Sequence, residues 1–184
     1  LAIEVLNGKQ ITREEALFLY VQPLSELCEN ADKIRRHFCA DQFDICTIVN
    51  AKSGSCSENC KFCAQSAHNH TGAATYPLLC KEEIVAQARC NHEQGVLRYS
   101  IVTSGKRLSD WEVDEMCEAV REIKEKVGIS VCVSFGLLNK EQFRKLKEAG
   151  VTRVHNNLET SRRNFPNICT THIFYSIFYS ALSI

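Results

Sequence analysis

An excess of charge of either sign is missing from this sequence: 22 Lys and Arg residues are balanced by 22 Asp and Glu, for a formal net charge of zero. Nucleic acids and anionic membrane surfaces both recruit basic patches, so neither nucleic acid nor a membrane is an expected partner. Long apolar runs are missing too. The longest, over 45–49 and 173–184, are too short or too polar to cross a bilayer, which takes about 20 apolar residues. There is no internal repeat, no low-complexity linker and no composition shift marking a second large domain. A chain of 184 residues suffices for one modest core.

Cysteine is plentiful, yet short of the density of a disulfide scaffold. The 11 cysteines among 184 residues are about 6%, against roughly 8–10% in small secreted frameworks. Their number is odd and no signal peptide precedes them, which points to a reducing, cytoplasmic setting where clustered thiols serve as metal ligands. Residue 1 is Leu, so the natural start is expected to be missing or processed.

Thr12-Arg-Glu-Glu15 has the form of a capping box and predicts a helix to about Tyr20, with a second helix from Pro23 to about Cys39. A buried strand is expected over 43–50. The chain then becomes regular: a helix over 81–94 stopped by Gly95, a strand over 97–103, and a helix opened by Ser109-Asp-Trp-Glu112 and ending near Gly128. A strand over 129–135, a helix from Asn139 to Gly150 and a strand over 151–157 follow. Spacing of this kind predicts parallel strands joined by helical crossovers. The fold class is therefore α/β, a partial (β/α)8 barrel of about four to five units, since a closed barrel takes ~250 residues. The expected organisation is a helical segment over 1–42, the partial barrel over 43–172 and an atypical tail over 173–184. The tail carries no charge and repeats Ile-Phe-Tyr-Ser, so it reads either as a short buried element or as a truncated or frame-shifted end.

The chemistry-bearing segment is Gly54-Ser-Cys56-Ser-Glu-Asn-Cys60-Lys-Phe-Cys63, directly after the first strand. Loops at the carboxyl ends of parallel strands are where active sites gather. Three thiolates can grip an iron–sulfur cluster that normally takes four, leaving one iron open for chemistry. A zinc site drawing on His68 or His70, or incidental cysteines, are the alternatives that the residues leave open.

The C-x3-C-x2-C spacing resembles that of the radical S-adenosylmethionine superfamily. In that family the open iron chelates the methionine end of S-adenosylmethionine, and an electron from the [4Fe-4S] cluster releases a 5′-deoxyadenosyl radical. A closer resemblance is to the biotin synthase family. It rests on Val49-Asn-Ala-Lys-Ser-Gly-Ser-Cys56-Ser-Glu-Asn-Cys60-Lys-Phe-Cys63-Ala-Gln-Ser-Ala-His68, on Thr71-Gly72 and on His155-Asn-Asn157-Leu-Glu159-Thr-Ser161, and covers roughly residues 10–172. That resemblance implies a TIM-barrel enzyme inserting sulfur into dethiobiotin to give biotin, an attack on C–H bonds that resist acid–base chemistry.

Carried over residue by residue, it implies Cys56, Cys60 and Cys63 as cluster ligands and Phe62 beside the adenine. Thr103 and Ser104 would support the methionine amino group, Glu159 the ribose hydroxyls, and Asn157 both nucleoside and substrate. Cys132 matches one ligand of a second, sulfur-donating iron–sulfur cluster. Ser100 stands where that family has another cysteine, so the type of such a second cluster is left open. A reducing donor of flavodoxin or ferredoxin type and a homodimer of the full-length protein are also implied. Cys28, Cys39, Cys46, Cys80, Cys90, Cys117 and Cys169 are expected to be mostly packed small hydrophobes, and His37 and His92 solvated. Two rival readings stand beside this one: a related radical enzyme with another substrate, of hydrogenase-maturase type, and an inactive metal-holding fragment. Half a barrel exposes the edge of its last strand, so the isolated chain is expected to be unstable or inactive.

Overall fold

The computed structural model describes residues 1–172, in two units, Leu1–Phe43 and a second that begins at Asp44. The uncharged tail over 173–184 lies outside the described residues. Among those described, no helix is long and apolar enough to cross a membrane.

The first unit holds helices α1 (Ala2–Leu6), α2 (Arg13–Tyr20) and α3 (Leu24–Cys39). The expected capping box opens α2: the Thr12 hydroxyl accepts from the Glu15 amide at 3.2 Å, and the Glu15 carboxylate accepts from the Thr12 amide at 2.9 Å. Pro23 sits at the cap of α3, where its missing N–H costs nothing. None of the three helices contains a buried residue. Leu17, Phe18, Tyr20, Val21 and Leu24 are all exposed.

The second unit alternates strand and helix: β1 (Cys46–Lys52), α4 (Lys81–Glu93), β2 (Arg98–Thr103), α5 (Asp110–Lys126), β3 (Ser130–Ser134), α6 (Lys140–Ala149), β4 (Arg153–Val154) and α7 (Phe165–Ile168). The strands pair in chain order, all parallel. This is the expected partial barrel architecture. Capping boxes at Ser109–Glu112 and Asn139–Gln142 start α5 and α6, and Gly150 ends α6 in the left-handed conformation.

Side chains alternate across a strand, and one face of this sheet carries Val49, Ala51, Tyr99, Ile101, Val131 and Val133. They pack with Ile84, Ala88, Val113, Met116, Val120, Ile123, Phe143 and Leu146 of α4, α5 and α6 into the main core. The opposite face bears a row in register, Ile48–Ser100–Cys132–Arg153.

The largest differences from expectation are the start of the first strand and the length of the fourth. The first strand begins at Cys46, not 43, because Phe43 is 83% exposed and gains nothing from the sheet. The fourth is two residues long, although the Thr152 and His155 amides still donate to Val131 and Val133 of β3. Among the described residues it pairs with β3 alone.

Candidate metal centre at the carboxyl edge of the sheet

The loops that leave the strands at their carboxyl ends are stitched to one another. The Ser104 amide donates to the Lys52 carbonyl and its hydroxyl to the Gly54 carbonyl, both at 2.8 Å, which ties the exit of β2 to that of β1. The Leu137 amide donates to the Lys106 carbonyl at 2.8 Å, tying β3 to β2. This last approach requires Gly136: its φ is +76°, and a Cβ there would fall on the Lys106 carbonyl. Gly54 is held likewise, at φ +74°, against the side chain of Thr75. Lys52 closes the end of β1 with an ion pair to Glu112 at 2.5 Å. Burial pushes the Glu112 carboxyl up, but the bonds from Lys52 and from Ser109 outweigh it and hold the group below its ordinary range.

From Gly54 the cysteine loop folds on itself. The Cys56 amide donates to the Gln65 carbonyl at 3.0 Å and the Cys56 carbonyl accepts from Ala67 at 2.8 Å. The Ser66 hydroxyl donates to the Glu58 carbonyl at 2.7 Å. Asn69 carries the most pointed support, since its side-chain amide donates to the carbonyls of both Cys60 and Cys63, at 3.0 and 2.9 Å. All eleven cysteines are free thiols. Cys56 is buried, and Cys60 and Cys63 are partly so. The Cys60 thiol is pushed up to about 12, first by burial, then by its bond to Cys169 and by the charges of Cys169, Cys63 and Cys56. The motif's three thiols thus share one electrostatic neighbourhood.

A second segment closes over this loop. The residues flanking Cys60 bond the residues flanking Cys169. The Lys61 amide donates to the Ile168 carbonyl at 3.0 Å. The Asn59 side-chain amide donates to the Thr170 hydroxyl at 2.6 Å, and its carbonyl accepts from the Thr170 amide at 2.9 Å. Glu58 accepts from the Thr171 hydroxyl at 2.8 Å and lies 2.6 Å from His172 Nδ1, with Lys106 3.6 Å away. Burial raises the Glu58 carboxyl, yet Thr171, His172 and Lys106 together hold it below the usual carboxylate value. Desolvation likewise raises Cys169, but bonds from Thr171, His172 and Cys60 leave its thiol below an ordinary cysteine. Among the described residues one group of three potential ligands has donor atoms all within 4.8 Å of one another: Cys60, Cys169 and His172.

This corrects two expectations. Cys169 is buried, as a packed thiol would be, but it faces Cys60 and His172 rather than apolar atoms alone. Cys28, Cys39, Cys46, Cys80 and Cys90 are exposed, leaving Cys117 as the packed small residue. The histidine beside the thiols is His172. His68 is exposed and lies 3.1 Å from the Ser57 carbonyl, and His70 is exposed. Cys169-Thr-Thr-His172 was readable as a pair at ligand spacing; its distance from the motif hid it. Asn59 and Asn69 left no such signal, because their work is to bond backbone that only the folded chain brings near. His37 and His92 are exposed on their helices, as expected.

The remaining candidates spread around the same edge. Phe62 is 57% exposed next to Cys63. Thr103 ends β2, and its buried hydroxyl has no hydrogen-bond partner among the described residues. Ser104 is buried and already committed to Gly54. Asn157 and Glu159 follow β4 on exposed chain, with Asn157 Oδ1 2.6 Å from His155 Nε2 and Glu159 in the left-handed region at φ +63°. Cys132 lies mid-sheet between Ser100 and Arg153, away from the strand ends.

The donor set fits an iron–sulfur cluster. Three free thiols on one self-bonded loop are the ligand type that such clusters take. A single ion with ~2.3 Å bonds draws its donors within touching distance, whereas a cluster places each thiolate on a different iron and keeps them apart. Among the described residues Cys56, Cys60 and Cys63 do not close into a group of the single-ion kind, which suits the second case. The unpartnered Thr103 hydroxyl at the strand end suits a polar ligand beside it.

Comparison with known proteins agrees with this donor set. The family model for the radical SAM superfamily matches residues 52–180. The biotin synthase of Akkermansia muciniphila is 58% identical over 170 residues, which cover 92% of this chain and 53% of the relative. Biotin synthase 2 of Corynebacterium diphtheriae is 54% identical over 175 residues, covering 95% and 53%. The chain thus spans about half the length of the curated relatives it matches. Among solved structures, methylornithine synthase superposes with a TM-score of 0.78 at 18% identity, covering 99% of this chain and 54% of that one. HydG, a maturase of the [FeFe]-hydrogenase, gives 0.71 at 18%, covering 99% and 44%. At that identity the likeness is one of fold.

Proposed function

This chain belongs to the radical SAM superfamily, and from that premise we propose that it performs biotin-synthase-type chemistry, sulfur insertion into dethiobiotin. The reading is supported by identities of 54–58% to the two biotin synthases over more than nine-tenths of the chain. The observation that carries it is the loop of Cys56, Cys60 and Cys63, three free thiols on backbone that bonds back on itself. They would hold a [4Fe-4S] cluster, with S-adenosylmethionine as its ligand. When bound, the pair supplies a carbon radical able to take hydrogen from an unactivated C–H bond.

The chain's own residues do the holding. Gly54 and Asn69 fix the loop's path, so that Cys60 and Cys63 are presented from bonded backbone. Phe62 offers an exposed ring for the adenine. Thr103 offers an unsatisfied hydroxyl for the polar end of the methionine, and Ser104 steadies the turn below it. Asn157 and Glu159 offer an amide and a carboxylate to the ribose, and Asn157 to the substrate as well. A second cluster would find one thiol, Cys132, in the row with Ser100 and Arg153. A low-potential donor of flavodoxin or ferredoxin type would supply the electron.

Anaerobic reconstitution with iron and sulfide is expected to give about four iron per chain and to lose it on Cys→Ala at 56, 60 and 63; full iron binding by the triple variant rejects the reading. Incubation with S-adenosylmethionine, reductant and dethiobiotin should yield biotin. Formation of 5′-deoxyadenosine without biotin would keep the radical chemistry and change the substrate.

A further inference from the structure

The motif assigns Cys60 to the loop, yet the folded chain also aims it elsewhere. Its neighbours Asn59 and Lys61 clamp the neighbours of Cys169, and the two thiols and the His172 ring converge within 4.8 Å. The pocket is built. Cys169 is 3% exposed, the His172 side chain 10% and the Glu58 side chain 8%. The imidazole is fixed on one side by Glu58, 2.6 Å from Nδ1, and on another by the edge of Phe165, ring centroids 5.4 Å apart. The same Nδ1 lies 3.2 Å from the Cys169 thiol, so a bound ion would take that nitrogen in place of Glu58 and leave the carboxylate beside it. Two thiols and an imidazole form a soft donor set that suits zinc-class ions and disfavours magnesium or calcium.

We propose that Cys60, Cys169 and His172 bind a single zinc-class divalent cation in the cluster-free protein, releasing their thiol protons to solvent, and that this ion and the cluster exclude each other through Cys60. The site itself stands on the geometry; the exclusion rests on the reading of Cys60 as a cluster ligand. Occupied, it parks Cys60 away from Cys56 and Cys63 and protects the loop's thiols until cluster assembly displaces the ion.

Cobalt(II) is the probe, added anaerobically to chelator-treated protein. One equivalent should bind with a thiolate-to-cobalt charge-transfer band and the visible bands of a tetrahedral ion. Cys169→Ser should weaken binding at least about tenfold, more than an outer-shell change costs, while Cys56→Ser and Cys63→Ser leave it unchanged. Zinc added to the unsubstituted protein should slow iron–sulfide reconstitution, and Cys169→Ser should remove that inhibition. The zinc competition needs no substitution, so a misfolded variant cannot mask the result. Cobalt bands that vanish with Cys56→Ser or Cys63→Ser but ignore Cys169→Ser would overturn the proposal, as would no binding. Full iron uptake by the Cys56 and Cys63 variants, with the cobalt site intact, would instead remove the cluster reading and leave this site standing.

Discussion

The first and fourth strands of the sheet end in loops that both carry candidate cofactor residues, yet the two exits are built differently. Beyond β1 the chain turns at Gly54, bonds back on itself through Ser66 and Asn69, and is covered by the segment around Cys169. Beyond β4, Asn157 and Glu159 are exposed, on chain that leaves a strand of two residues paired, among the described residues, with β3 alone. A site that must hold several thiolates in fixed relation needs preorganised backbone. A stretch that contributes single polar contacts to a bound nucleotide can be ordered by the nucleotide itself. The difference predicts that damage at the first exit is global and damage at the fourth is local.

Gly54→Val is the most severe way to test this. Its side chain would meet Thr75 at a backbone angle that β-branched residues avoid, for a cost of roughly 2–4 kcal/mol. Denaturant unfolding of the cluster-free chain should show that loss; an unchanged midpoint would mean that the loop is not locked as described.

Glu112→Gln comes next, because Lys52 at the end of β1 leans on that carboxylate. A charge-assisted bond of this kind contributes about 1.5–3 kcal/mol. The folded carboxyl lies below its ordinary value of 4.5, so its stabilisation is fully present above that pH and is lost as pH falls through the lowered folded value. The gap between the parent and the variant should therefore be widest near neutrality and close in acid below about pH 4.5. A gap that grows on acidification would contradict the pairing.

The smallest effect belongs to the fourth exit, and its sign is opposite. Glu159 holds φ +63°, where glycine is at ease. Glu159→Gly should leave stability unchanged or raise it by up to about 1 kcal/mol, while weakening S-adenosylmethionine in a binding titration of reconstituted protein. Destabilisation comparable to that of Gly54→Val would erase the contrast between the two exits.

Much of the architecture was legible because it is encoded over short distances. Thr12, Ser109 and Asn139 each pair with the third residue onward, and the resulting capping boxes lie within a residue of where the pattern puts them. Gly95, Gly128 and Gly150 all take positive φ at helix ends. Strand limits were less legible, because a strand ends where its partner does. Phe43 is apolar enough to belong to β1, but nothing pairs with it. The cysteine motif was legible as a ligand set. Its supports were not, since Asn69 differs from any surface asparagine only by the two carbonyls it finds.

The order of helices and strands and the identity of three candidate iron ligands follow from the sequence alone, because each depends on residues a few positions apart, and the parallel pairing follows from that alternation. Which partners Cys60 meets does not. Asn59 reaches Thr170 across 111 residues, and only the stacking of successive strands brings those two segments to one edge, where a thiol, a second thiol and an imidazole converge.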